Sequence, residues 1–171
     1  MSHSSPKTTA ELLSLVDHAW DALERTVARL GPAQLTDVRD PAGWAVKDHL
    51  MHVAAWEDAL LARLTGRPIY EALGLDVATL GTDENAENAA IFEQHRHRPL
   101  AEVLEAARAS HRATRAKLAT LSDRAVGGVV ADVVPPGVDR DESPAAAWIA
   151  GNTWEHYAAH LSWIRELVDR G

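Results

Sequence analysis

At 171 residues the chain is long enough to bury a substantial core without disulfides or a structural metal. Its 46% hydrophobic and 25% charged residues fall in the globular range, and the absence of cysteine excludes a disulfide framework, a zinc–thiolate site and a cysteine nucleophile. A formal net charge of −8 with no cluster of Lys and Arg argues against nucleic acid as a partner, since nonspecific binding needs cations to meet phosphates.

The polar start over 1–9 contains no apolar run, and no stretch approaches the roughly 18 apolar residues of a membrane span. The expectations are therefore no membrane, a cytoplasmic address, and one domain over 1–171 with a flexible 1–7. From 8 to 30, Leu12, Val16, Leu23, Val27 and Leu30 keep one helix face apolar, with Thr8 or Thr9 as cap and Gly31-Pro32 as stop. Residues 31–43 read as a loop. A second helix is predicted over 44–64, closed by Gly66 and Pro68, and short helical pieces over 70–75 and over 82–95, the latter capped by Thr82. Both lie in the long connection over 66–97.

Pro99 suits the first turn of a third helix that continues to about Leu121. Residues 122–143 are irregular: Gly127-Gly128 and Pro135-Pro136-Gly137 are breakers, and Val129 to Val134 read as a short extended segment. A stretch of this length serves as a lid or as a solvated connector. Ser143-Pro144 then opens a fourth helix lasting to about Val168. Four long amphipathic helices with almost no strand signal predict an all-α four-helix bundle.

The chemistry-bearing residues are mostly histidines. His156 and His160 stand four apart, so both imidazoles share a helix face and can meet one ion; the bland alternative is a pair at the bundle edge, bonded to solvent or carbonyls. Glu155 precedes the first histidine rather than following it, so this is not a zinc-protease motif. Trp148 and Asn152 extend the same face, and Trp163 follows it. On the second helix His49, His52 and Trp56 share a face, and a ligand from here would complete a three-histidine shell with open positions for a guest. His49 reads as a fallback ligand, a neighbour that supports one, or a partly exposed helix histidine. Glu57 reads as a hydrogen-bond partner for a ligand imidazole or as an exposed carboxylate. His111 reads as core or surface filler, and His95 and His97 as solvent groups. Trp44, Trp56, Trp148 and Trp163 are candidates to line a site, with Trp20 and Trp154 as plain core.

The run over 43–57, with Trp44, His49, His52, Trp56 and Glu57, resembles the second helix of the DinB-like superfamily, and the run over 151–165, with Asn152, His156, His160 and Trp163, resembles its last helix. The opening Thr9-Ala10-Glu11-Leu12-Leu13 and the start Arg98-Pro99-Leu100 further resemble the ClbS/DfsB branch. The resemblance implies an up-down-down-up bundle, often dimeric, holding nickel or zinc through His52, His156 and His160, although that branch does not uniformly keep the triad. Three functions follow as expectations. One is a metal-dependent hydrolase, or a transferase using a low-molecular-weight thiol, that acts on a small molecule. A second is a ClbS-like self-resistance or sequestering protein working without metal. The third is a non-enzymatic dimeric scaffold.

Overall fold

The structure is a computed structural model and describes residues 5–76, 83–138 and 141–169. Helix α1, Thr9–Val27, starts where Thr8 and Glu11 cap each other: the Thr8 hydroxyl accepts from the Glu11 N–H (3.1 Å) and the Glu11 carboxylate accepts from the Thr8 N–H (3.3 Å). Leu12, Val16, Trp20, Leu23 and Val27 form its buried stripe. Burying an aliphatic chain of this size stabilises the fold by roughly 1.5–3 kcal/mol.

The remaining long helices are α3 (Val46–Leu64), α6 (Leu100–Leu118) and α10 (Trp154–Asp169). Their mutual directions follow from which residues touch. Lys47 Nζ donates to the Arg96 carbonyl, Ser110 Oγ to the Ala54 carbonyl, and Thr114 Oγ1 to the Glu57 carbonyl, so numbers rise together and α3 runs parallel to α6. Arg115 pairs with Asp17 and Arg108 with Glu24, so α1 is antiparallel to α6. His49 meets His160 while Glu57 meets Tyr157, so α10 is antiparallel to α3. The topology is up-down-down-up. Parallel α3 and α6 cannot be joined by a tight turn, so a long return crossing separates them in the chain. Helices α4 (Ile69–Leu73) and α5 (Glu84–His95) are built into that crossing and both pack on α3.

Several local expectations are corrected. The 31–43 loop contains a short α2, Pro32–Thr36, with proline in its first turn. Within 122–143 lie α7 (Asp123–Val126) and α8 (Val130–Val133). The segment expected to be extended is helical at its centre, because Asp132 accepts from the Val129 N–H (3.1 Å) and starts a turn there. The second helix begins at Val46 rather than Trp44, and the third ends at Leu118. The fourth helix is two: α9 (Ala145–Asn152) and α10, separated by Thr153 at φ −134° and ψ −108°. Thr153 is fully buried and donates its hydroxyl back to the Ile149 carbonyl (2.7 Å), a bond that competes with helix continuation. Thr82 and residues 1–4 lie outside the described residues; Asp83 caps α5 by accepting from the Asn85 N–H (3.2 Å). Among the described residues there is no strand, and no helix is long and apolar enough to cross a membrane.

Candidate metal centre

Helix α3 packs against α6, α4, α5, α9 and α10, which explains why even its polar residues are buried. Its start is fixed by Asp48, which accepts from the Ala45 N–H (2.9 Å) and from Lys47 Nζ (2.8 Å). From that anchored turn His49 and His52 face α10. One turn apart on α10, His156 and His160 face back.

The three imidazoles of His52, His156 and His160 converge. Their candidate ligand nitrogens lie within 4.8 Å of one another, and the ring centroids are 5.1 Å (His52–His156), 4.8 Å (His52–His160) and 4.6 Å (His156–His160) apart. A zinc–nitrogen bond of about 2.0–2.1 Å in tetrahedral geometry sets nitrogens about 3.4 Å apart, so closure on one ion takes roughly an ångström of ring movement. Burial opposes protonation throughout. It pushes His52 down to about 3, with help from the neighbouring imidazoles, and His156 down to about 4; His160 is lowered further for the same two reasons. Three imidazoles held neutral bring their nitrogens to a common point, and the Nδ1 atoms of His52 and His156 are buried with no hydrogen-bond partner among the described residues. This donor set fits a divalent cation bound by nitrogen.

His49, read as a partly exposed alternative, is buried beside the cluster with its Nδ1 3.1 Å from His160 Nδ1.

Two clefts reach the cluster. The larger, about 840 Å3, has Trp44 and Trp163 on its walls and Asp40, Glu84 and Glu166 among its polar groups. Trp44 stacks on Phe92 with centroids 5.4 Å apart, and Trp163, 50% exposed, lies edge-on to His160 at 4.7 Å. The smaller, about 430 Å3, is lined by Trp56, Trp148, Asn152 and Glu87. Trp56 is fixed by donating to Asn88 Oδ1 (3.0 Å), and Arg63 lies over the Trp148 ring at 5.0 Å. His52, His156 and Glu84 line both clefts. The tryptophans singled out in the sequence are thus all beside the histidines. Trp20 is core; Trp154 is only half-buried.

Glu57 is elsewhere. It makes no bond to the three imidazoles; its Oε1 accepts from the Tyr157 hydroxyl and lies 3.3 Å from His111 Nδ1. The reason is rotational: five residues beyond His52, Glu57 faces the bundle axis instead of the clefts. His111 is core, stacked on Trp20. His95 is not a plain solvent group, since its Nδ1 is buried with no partner among the described residues and burial lowers its pKa, whereas His97 is exposed. Sequence reasoning missed Asp40 and Glu84. Asp40 could have been suspected from Asp40-Pro41-Ala42-Gly43, a turn signature directly before the histidine helix.

The sequence profile described as DinB superfamily matches residues 15–164. No curated protein matches. Among solved structures, the colibactin self-resistance protein ClbS in complex with a dsDNA is similar at 13% identity and a TM-score of 0.72, over 96% of this chain and 97% of that one. DfsB, described as a sibling lethal factor precursor, is similar at 16% identity and 0.71, over 95% and 96%. An uncharacterised protein from Escherichia coli UTI89 is similar at 16% and 0.69, over 96% and 95%. At these identities the likeness concerns the fold. The DNA in the ClbS complex stands against the exclusion of nucleic acid drawn above, because net charge sums the whole surface whereas phosphate contact is local.

Proposed function

The chain belongs to the DinB superfamily, and from that premise we propose that it binds one divalent metal ion through His52, His156 and His160 and acts on a small molecule held in the adjoining clefts. The convergence of three neutral imidazoles, those of His52 and His160 buried and that of His156 half-buried, on the floor of a cleft carries this reading. A bound divalent ion would supply Lewis acidity, lowering the pKa of a coordinated water or thiol. The protein's own contributions are the tryptophan walls, which hold an apolar body, and the carboxylates of Asp40 and Glu84 beside them. Histidine nitrogen suits nickel and zinc alike. The reading includes a homodimer in the cytoplasm as its working form.

The two clefts share His52, His156 and Glu84, so a small molecule and a second reactant, water in a hydrolase or a thiol in a transferase, can both reach the cluster. A thiol acceptor would come from outside, since the chain has no cysteine. A second reading, self-resistance by sequestering a small molecule without metal, is supported by the same tryptophan-walled cleft.

Elemental analysis of protein purified without a histidine tag, followed by zinc and nickel titration, separates these readings. The metal reading expects about one ion per chain, lost on His156→Ala with His160→Ala. Wild-type protein that holds no ion and takes up none on titration defeats it and leaves the sequestering role.

A further inference from the structure

We propose that Asp40 and His49 form a relay that holds His160 in the Nδ1–H tautomer and so aims its Nε2 lone pair at the cluster with His52 and His156. The relay is a positioning device; neither residue is a ligand. The proposal rests on the metal reading for its purpose but on geometry for its existence.

His49 Nδ1 and His160 Nδ1 are 3.1 Å apart, and both side chains are more than nine-tenths buried. A neutral imidazole carries one N–H and one lone pair. This contact therefore requires one ring to donate and the other to accept, and the two solutions are chemically distinct. If His49 donated, its Nε2 would be a bare lone pair, 3.6 Å from the Asp40 Oδ2 carboxylate oxygen, an acceptor facing an acceptor. The His160 proton would then sit on Nε2, the nitrogen needed for the ion. If His160 donates, His49 Nε2 carries a proton directed at Asp40 and His160 Nε2 is free to ligate. His49 Nε2 is buried with no hydrogen-bond partner among the described residues, so the carboxylate is the group that decides.

Asp40 is itself held. Its Oδ1 accepts from the Trp44 N–H (2.9 Å), its own N–H donates to the Trp44 carbonyl (2.9 Å), and the Gly43 N–H donates to the Asp40 carbonyl (2.9 Å). Gly43 has φ +89°, a left-handed conformation that favours glycine, so the tight turn fixing the carboxylate is written into the residue type.

Two experiments on the full-length protein test the relay. In metal-free wild type near neutral pH, long-range proton–nitrogen NMR should place the His160 proton on Nδ1 and the His49 proton on Nε2. A His160 proton on Nε2 overturns the proposal, whether or not the protein binds metal. Zinc affinity, measured by chelator competition, is then compared in His49→Gln and His49→Phe. Glutamine can accept from His160 Nδ1–H through Oε1 and donate toward Asp40 through its amide, whereas phenylalanine keeps the ring and its packing but does neither. The relay predicts affinity within about threefold of wild type for glutamine and a loss of roughly 10- to 100-fold for phenylalanine. Phenylalanine binding zinc as well as glutamine does would overturn it, showing that His49 serves only to fill space. Absence of zinc binding in wild type would defeat the metal reading, with the relay still judged by the NMR result.

Discussion

Tyr157 donates its hydroxyl hydrogen to Glu57 in the buried centre of the bundle, one residue along α10 from His156 and five along α3 from His52. His111 lies against the same carboxylate oxygen at 3.3 Å, and Trp20 stacks on His111 with centroids 4.0 Å apart. Each of the four long helices thus sends one side chain into a single polar knot. The knot ties the two helices that carry the histidine cluster together without taking part in that cluster. Tyr157→Phe keeps the ring and deletes the bond, leaving a buried carboxyl short of a donor. The expected cost is about 1–3 kcal/mol, seen as a fall in Tm of about 2–4 °C per kcal/mol for a chain of this size. A variant that melts with wild type would mean the bond contributes nothing net.

Glu57 also gives stability a pH dependence with a definite sign. Burial raises its carboxyl pKa above the ordinary 4.5, against the lowering pull of His111 and Tyr157. The folded state therefore binds this proton more tightly than the unfolded state. The resulting stabilisation is complete below 4.5 and is lost as pH rises through the folded value. Glu57→Gln mimics the protonated form at every pH, so the variant should gain on wild type as pH increases from about 4.5. Urea unfolding across that range reads the difference directly, and a constant gap would contradict the assignment.

The histidine cluster gives the opposite slope. His52 and His156 are held at about 3 and about 4, below an unfolded value of 6.5, chiefly because burial disfavours the imidazolium. Their contribution is present above pH 6.5 and lost as pH falls toward 4 and then 3. Metal-free wild type should therefore lose stability steeply on acidification, and His156→Ala with His160→Ala should flatten that slope. An acid limb unchanged in the double variant would show that the rings are hydrated and free to protonate in the folded state.

Much of this was readable in the sequence, for identifiable reasons. Leu12, Val16, Leu23 and Val27 recur at a period set by the backbone alone, so α1 follows from spacing. His156 and His160 at four residues must share a face wherever the helix lies. The depth of a side chain is another matter, because it depends on what covers it. His49 shares a face with His52, yet it is buried only because Trp44 of the preceding turn and His160 and Trp163 of α10 close over it. Glu57 was misplaced because helical spacing orders residues around an axis without saying which neighbour meets each side. The break at Thr153 follows Gly151 and Asn152, both poor helix formers, but the helical spacing of the residues on either side concealed it; there the Thr153 hydroxyl turns back on the Ile149 carbonyl. Asp40 acts across a turn, and no periodicity reports a contact of that kind.

Metal should stabilise the fold measurably. A ligand that binds only the native state at 100 times its Kd adds about 2.7 kcal/mol, which for this length raises Tm by about 5–10 °C. Zinc or nickel added to metal-stripped wild type should give a shift of that size, and His156→Ala with His160→Ala should show none. Magnesium, which prefers oxygen ligands, should leave both proteins unmoved. An equal shift from magnesium would mean that surface carboxylates, not the imidazoles, respond to the ion.

Trp163 and Ile164 are adjacent on α10, one exposed and the other buried, which separates ligand binding from stability. Ile164 is fully buried in the core, so Ile164→Ala should cost about 2–5 kcal/mol. Trp163 is half exposed and edges onto His160 at the mouth of the larger cleft. Away from the core, Trp163→Ala should change stability by no more than about 0.5 kcal/mol. An exposed indole beside the histidine cluster retains its apolar surface for a guest, so the same substitution should weaken binding of any small molecule that quenches the protein's tryptophan fluorescence. Thermal melts and ligand titrations on the two variants should therefore rank them in opposite orders. Equal ligand affinity in wild type and Trp163→Ala would remove this tryptophan from the binding surface and move the guest toward the second cleft, under Trp148.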